Sequence, residues 1–146
     1  MNKDWREFTA LLNSHGVDYL IVRGYCLAYH GVPRYTGDID FFIRISEQNA
    51  EKIEQVIQEF GFSSTGLGKQ DFLQPGQVIQ LGFPPHRIDL LSAIEAVSFD
   101  EAWEHRIPAE LDGLPVFMLS KDLLIRNKEK LDRPQDRVDV QRLKQK

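Results

Sequence analysis

The chain is predicted to be α/β (α+β), a mixed β-sheet flanked by helices and closed by C-terminal helices. Three observations carry that expectation. Short apolar runs rich in Val, Ile, Tyr and Phe alternate with segments of helical periodicity. Glycines and prolines punctuate the changes between them. Two of the strand-like runs, Gln77 to Leu81 and Arg87 to Leu91, lie close enough to pair as an antiparallel hairpin.

Asp4 to Leu12 is predicted to be a helix, with Trp5, Phe8, Leu11 and Leu12 on one face and Asn13-Ser14-His15-Gly16 ending it. Val17 to Val22 is a nearly continuous apolar run, which suits a strand buried on both faces. Gly24 is expected to break it, and Tyr25 to His30 to form a short helix stopped by Gly31 and Pro33. A strand, a glycine and a helix in succession aim backbone N–H groups at an anion. Asp38 to Ile45 reads as the second strand. Ser46 caps a helix whose Ala50, Ile53, Val56, Ile57 and Phe60 share a face, and Gly61 ends it. Ser63 to Gly76 reads as loop, and Pro84-Pro85 closes the first strand of the hairpin. Ser98 to His105 is a short helix, and Val116 to Met118 a short edge strand. Ser120 caps a helix reaching Lys130, and Pro134 sits in the first turn of the last helix.

At 146 residues the chain fits one domain, 1–146, large enough for a substantial core. Its composition is ordinary for a globular protein, with no repeat and no low-complexity segment. No apolar run approaches a membrane span, and Met-Asn-Lys-Asp-Trp lacks the apolar centre of a signal peptide. The single cysteine, Cys26, forms no internal disulfide and leaves no thiolate cluster for zinc. A cytoplasmic location is therefore expected. Residues 121–146 hold nine Lys or Arg against five Asp or Glu, whereas the first 120 hold nine against seventeen. That acidic body argues against a general DNA binder and suits a metal–carboxylate site served by cations from the tail.

The candidate chemistry centres on Asp38-Ile39-Asp40, at the mouth of the second strand. Alternation puts the two carboxylates on one face, about 7 Å apart along the chain, and sends Ile39, Phe41 and Ile43 to the other. Asp89 is the other acid embedded in an apolar strand, and three carboxylates converge if its strand adjoins the first. A carboxylate-only set favours Mg²⁺ or Mn²⁺ over zinc. Each acid has a plainer reading as a turn cap or as a partner of Arg34, Arg44 or Arg87. His30, His86 and His105 share no metal-ligand spacing, and Cys26 reads as a packed thiol.

Val22-Arg23-Gly24-Tyr25-Cys26-Leu27-Ala28, then Gly31, Arg34, Thr36 and Asp38-Ile39-Asp40, resembles the minimal nucleotidyltransferases of the DNA polymerase beta superfamily. The AbiEii-like, toxin–antitoxin-associated branch is the most similar, and Leu124 to Lys128 followed by Arg133, Pro134, Asp136 and Asp139 resembles that branch's closing helices. The resemblance spans residues 17–143. It implies a nucleotidyltransferase fold and transfer of a nucleoside monophosphate from an NTP to an acceptor hydroxyl with two divalent ions. Asp38, Asp40 and Asp89 would be the metal ligands and catalytic acids, with Asp89 also helping to deprotonate the acceptor. Gly24 would let the triphosphate approach the backbone, and Lys128 would reach phosphate oxygens. Arg34 would neutralise phosphate or pair with an acid, and Thr36 would cap the turn. Arg133, Asp136 and Asp139 would form an ion network that holds Lys128.

The sequence departs from the pattern at Arg23, which stands where the family usually has its first glycine. A guanidinium there would either bind phosphate or fill the cleft and pair with Asp38 or Asp40. The second outcome implies a silent nucleotidyltransferase-like domain that acts by binding a protein, for instance a cognate toxin or antitoxin. Metal or nucleotide sensing without transfer is a third reading. The acceptor class, whether protein, RNA or small molecule, is open at this level.

Overall fold

A computed structural model describes residues 1–62 and 65–146; Ser63 and Ser64, the first residues of the expected loop, lie outside the described residues. Helix α1 (Lys3–Ser14) starts where the Asn2 side chain accepts a hydrogen bond from the Trp5 amide, 2.9 Å away. It buries Trp5, Phe8 and Leu12. Strand β1 (Tyr19–Val22) is buried along its whole length, as its unbroken apolar run requires. Helix α2 (Arg23–Tyr29) follows at once, before strand β2 (Asp38–Ile43) and helix α3 (Glu47–Phe60). Ser46 caps α3, and Gly61 ends it in the left-handed conformation.

Six strands form one mixed sheet in the order β3-β4-β2-β1-β6-β5. Strands β3 (Val78–Leu81) and β4 (Arg87–Leu91) make the expected antiparallel hairpin, and β4 then lies parallel to β2. On the other side β1 pairs antiparallel with β2 and parallel with β6 (Leu114–Met118). Strand β5 (Ile107–Leu111) is the outer partner of β6. The centre of the sheet is therefore β4-β2-β1, the strands that carry the candidate acids and the turn into α2.

The two faces of the sheet bury different halves of the core. On one, Phe41 meets Phe8 of α1 and Tyr19, at ring-centroid distances of 5.8 and 5.4 Å, and Phe60 of α3 packs on Phe8 at 5.3 Å. On the other, Phe42 meets Phe99 of α4 (Phe99–Glu104) at 5.2 Å. Ile39, Phe41 and Ile43 all enter the core, as their alternation predicts. The chain ends in two helices packed on each other, α5 (Lys121–Leu131) and α6 (Pro134–Lys144), with Ser120 capping the first and Pro134 opening the second.

Several local expectations change. The break after β1 is made by Arg23, whose φ is 60°, and Gly24 already lies inside the helix. The strand after Asp38 stops at Ile43, short of the expected Ile45, and Arg44 beyond it pairs with Asp18 and Asp100. Met118 does not lie in an edge strand: β6 is flanked on both sides, and the edge is β5, whose Pro108 and mixed polarity hide it from periodicity. The expected loop contains a 3₁₀ helix (Lys69–Leu73), where Asp71 caps the Gly68 amide and Phe72 is buried.

Candidate active site

The register of β2 and β4 assembles the acids. Asp38 lies opposite Arg87, and Asp40 opposite Asp89. One carboxylate oxygen from each of Asp38, Asp40 and Asp89 lies within 4.8 Å of the other two. The three acids thus converge as expected once their strands adjoin. Burial grades across them. Asp38 is half-buried at the strand mouth, whereas Asp40 retains 2% of its accessible surface and Asp89 none.

The compensation of these charges is uneven. Arg87 donates from Nε to Asp89 Oδ1 at 2.9 Å and from Nη2 to Asp89 Oδ2 at 3.2 Å. The same Nη2 reaches Asp38 Oδ2 at 2.5 Å. Thr36 Oγ1 sits 2.8 Å from Asp38 Oδ1 and 2.8 Å from the Asp38 carbonyl, so it holds the entry turn, as expected. Asp40 Oδ1 is different. It is buried and accepts no hydrogen bond among the described residues, and its nearest cation is Arg23 Nη1 at 3.5 Å. Burial, reinforced by the Asp38 and Asp89 carboxylates and only partly opposed by Arg23, pushes the Asp40 carboxyl up to about 8. An all-oxygen donor set with one orphaned buried oxygen fits a hard divalent cation.

Above the acids lies a cavity of about 330 Å³. Arg23, Gly24, Arg34 and Lys128, the four residues expected to face phosphate, all line it together with Asp38 and Asp40. Asp89 does not; it is fully buried and held by Arg87. Arg23 leans toward Asp40 but stays half-exposed, and the cavity remains open beside it. A Cβ on Gly24 would come within 3.3 Å of Thr36 Cβ and Oγ1, so this glycine also makes room for the residue that positions Asp38.

The cations of the tail are held by a second acid pair. Lys128 Nζ lies 2.9 Å from Asp139 Oδ2 and 3.3 Å from Asp136 Oδ1. Arg34 also pairs with Asp139, and Arg133 Nε lies 2.6 Å from Asp136 Oδ2. The Arg133 hydrogen bond holds the Asp136 carboxyl down at about 2. For Asp139, burial acts to raise the pKa, but hydrogen bonds from Lys128 and Gln135 prevail and lower it. The expected ion network is therefore present, and three of the cations that it holds, Lys128, Arg34 and Arg133, line the cavity.

Two further residues belong to the site. Arg133 lines the cavity from the start of α6, and Arg87 bridges two of the acids. By sequence Arg87 is only one of several arginines able to partner an acid. The signal for its position is the Arg87-Ile88-Asp89 spacing, which puts guanidinium and carboxylate on one strand face. Cys26 is a packed thiol, as expected: it is buried with Sγ 3.3 Å from the Leu119 carbonyl, and burial pushes the thiol up to about 12.

No family model and no curated protein matches the sequence. Among solved structures the chain is similar to a Thermotoga maritima protein named as a putative nucleotidyltransferase, at 16% identity and a TM-score of 0.60, covering 94% of this chain and 88% of that one. It is also similar to the antibiotic-resistance factor ANT(2'')-Ia in complex with adenylyl-2''-tobramycin, at 17% identity and a TM-score of 0.58, covering 95% and 84%. A nucleotidyltransferase-like protein from Paracoccidioides brasiliensis gives 15% identity and a TM-score of 0.51, covering 96% and 72%. The chain has the nucleotidyltransferase fold: a six-stranded mixed sheet with flanking helices.

Proposed function

We propose that this protein transfers a nucleoside monophosphate from an NTP to an acceptor hydroxyl in a reaction dependent on Mg²⁺ or Mn²⁺. The observation that carries this reading is the convergence of Asp38, Asp40 and Asp89, with an orphaned Asp40 oxygen, beneath a cavity rimmed by Arg23, Arg34, Lys128 and Arg133. Acids below and cations above suit a bound cation and a polyphosphate together. The fold shared with nucleotidyltransferases supports it. One domain spanning 1–146, in the cytoplasm where NTPs are available, carries the whole site.

Asp38, Asp40 and Asp89 would hold a divalent cation, which would supply charge neutralisation at the phosphate oxygens and activation of the acceptor hydroxyl. Arg23, Arg34 and Lys128 orient the triphosphate, and the ion network under Lys128 and Arg34 fixes where their charges sit. The acceptor oxygen bonds to the α-phosphorus, the bond from that phosphorus to the α–β bridging oxygen breaks, and pyrophosphate leaves. The acceptor proton passes to the carboxylate cluster. Arg87 donates to both Asp89 oxygens and so fixes the orientation of the Asp89 carboxylate opposite Asp40.

A second reading rests on Arg23 Nη1, 3.5 Å from Asp40 Oδ1. If that guanidinium substitutes for the metal, the domain is silent and acts by binding a partner protein, such as the toxin or antitoxin of a cognate pair. Incubation with each α-³²P-labelled NTP and Mg²⁺ or Mn²⁺ separates the two. Protein, RNA and small-molecule fractions, including tobramycin, which the ANT(2'')-Ia complex carries in adenylylated form, serve as acceptors. Label on an acceptor or on the protein itself, lost in Asp40→Asn, is the expected result. No label with any NTP would refute transfer.

A further inference from the structure

We infer that the outer edge of β3 is a self-association surface, on which β3 of a second copy of this chain pairs antiparallel about a two-fold axis beside Ile79. A sheet edge offers unpaired backbone groups to any strand that meets it, and globular proteins guard such edges with charge, proline or a covering element. The two edges of this sheet differ in that respect. Strand β5 carries Pro108 and an exposed Glu110, with Arg106 and Asp112 at its two ends. Strand β3 has neither charge nor proline. Although 27% of the chain is charged, residues 72–85 contain no Asp, Glu, Lys, Arg or His. Val78 is 47% exposed and Phe83 83%, and Gln77 and Gln80 are exposed as well. Pro75 and Pro84 lie outside the strand and remove none of its N–H groups.

Register fixes which groups are free. At the open end of the hairpin the Ser92 amide donates to the Gln77 carbonyl at 3.0 Å, and the Gln77 amide donates to Ser92 Oγ at 2.7 Å. Alternation along an antiparallel ladder then directs the backbone groups of Ile79 and Leu81 toward β4 and those of Val78 and Gln80 outward. Among the described residues the outward groups bond no other element. A two-fold axis perpendicular to the sheet at Ile79 sets Val78 opposite the second copy's Gln80, and Gln80 opposite its Val78. Each outward N–H then meets an outward C=O, and Ile79 faces its own counterpart in the closely spaced position. The same register carries Phe83 of each copy toward Pro75 of the other, an apolar neighbour for an exposed ring. Charge selects the occupant. The chain has a net charge of −4, so two copies repel on approach, and an uncharged edge lets them meet without a like-charge pair. A foreign strand finds no charge here by which to be chosen. Gln80 lies opposite Asp89, so the acid clusters of both copies share one face of the continuous sheet.

Sedimentation velocity of the full chain, from about 1 to about 300 μM, reads the association. A strand this short makes a contact at the low end of interface sizes, so the expected result is a monomer–dimer equilibrium with a Kd on the order of 10–100 μM. Val78→Lys changes a side chain that is exposed in the monomer and sets two like charges diagonally across the axis, so its Kd should rise at least about tenfold. Ile79→Cys should form a disulfide-linked dimer on mild oxidation and Gln77→Cys should not, because only the first faces its own counterpart and Cys26 is buried. A monomer throughout, growth beyond a dimer, or a dimer that Ile79→Cys fails to link would overturn the inference. So would an unchanged Kd in Val78→Lys that keeps the wild-type circular dichroism spectrum. Should Val78→Lys not fold, the wild-type concentration series and the Ile79→Cys linkage decide.

Discussion

Asp40 and Arg23 set the behaviour of the site at the level of single residues. An Asp40 carboxyl raised from 3.8 to about 8 holds its proton in the folded chain over a range where the unfolded chain has lost it. Metal-free protein in EDTA should therefore lose stability as pH rises from about 4 to about 8, with a slope of at most about 1.4 kcal/mol per pH unit. Asp40→Asn should flatten that slope in urea unfolding while lowering transfer by at least about a hundredfold. An Asp40→Asn chain with the wild-type pH profile would show that this carboxyl is not the strained group. Arg23 sits at a φ of 60°, a conformation that costs a non-glycine residue about 1–2 kcal/mol. Arg23→Gly should raise stability by about 1 kcal/mol and, by removing a phosphate contact, raise the KM for NTP about tenfold. A lower KM would mean that Arg23 obstructs the cleft.

At the level of elements, the site depends on the β2–β4 pairing below and the α5–α6 pair above. Lys128 is nearly buried between Asp136 and Asp139, so Lys128→Met leaves two buried carboxylates without their shared cation. Urea unfolding should show a loss of about 3–5 kcal/mol. A loss below about 1 kcal/mol would show that the network does not hold the tail. Asp136, held at about 2 by Arg133, contributes stability that is present above the ordinary carboxylate range and is lost as pH falls from about 4 toward 2. Amide exchange in α6 should accelerate over that interval before exchange in β1 and β2. These elements differ in how legible they are in the sequence. Strands β2 and β4 are plain because an acid inside an apolar alternation stands out against its neighbours, and the trio follows once the strands adjoin. Strand β5 is hidden because its pairing with β6, not its own pattern of Ile107, Pro108, Ala109, Glu110 and Leu111, makes it a strand. The break after β1 is expected at Gly24 because glycine commonly interrupts a strand, whereas the chain makes it at Arg23, which takes the left-handed conformation.

For the whole molecule, the sheet order brings acids from two strands together and cations from α2, the β1–β2 connection and the last two helices to the cavity beside them. No local pattern specifies that meeting. It arises because β4 inserts beside β2 and because α5, with α6 packed on it, returns against α2. The fold is common to nucleotidyltransferases of 15–17% identity, so it constrains the activity less than these few side chains do. Acids and cations together are proposed to form a cation-dependent triphosphate site, and isothermal titration reads that property without requiring turnover. Each non-hydrolysable NTP is titrated with Mg²⁺ and with EDTA, into wild type and Asp40→Asn. At least one NTP should bind the wild type with Mg²⁺ and bind at least about tenfold more weakly in EDTA, and Asp40→Asn should lose the Mg²⁺ dependence. Binding that is equally tight in EDTA, or no binding of any NTP with Mg²⁺, would rule such a site out.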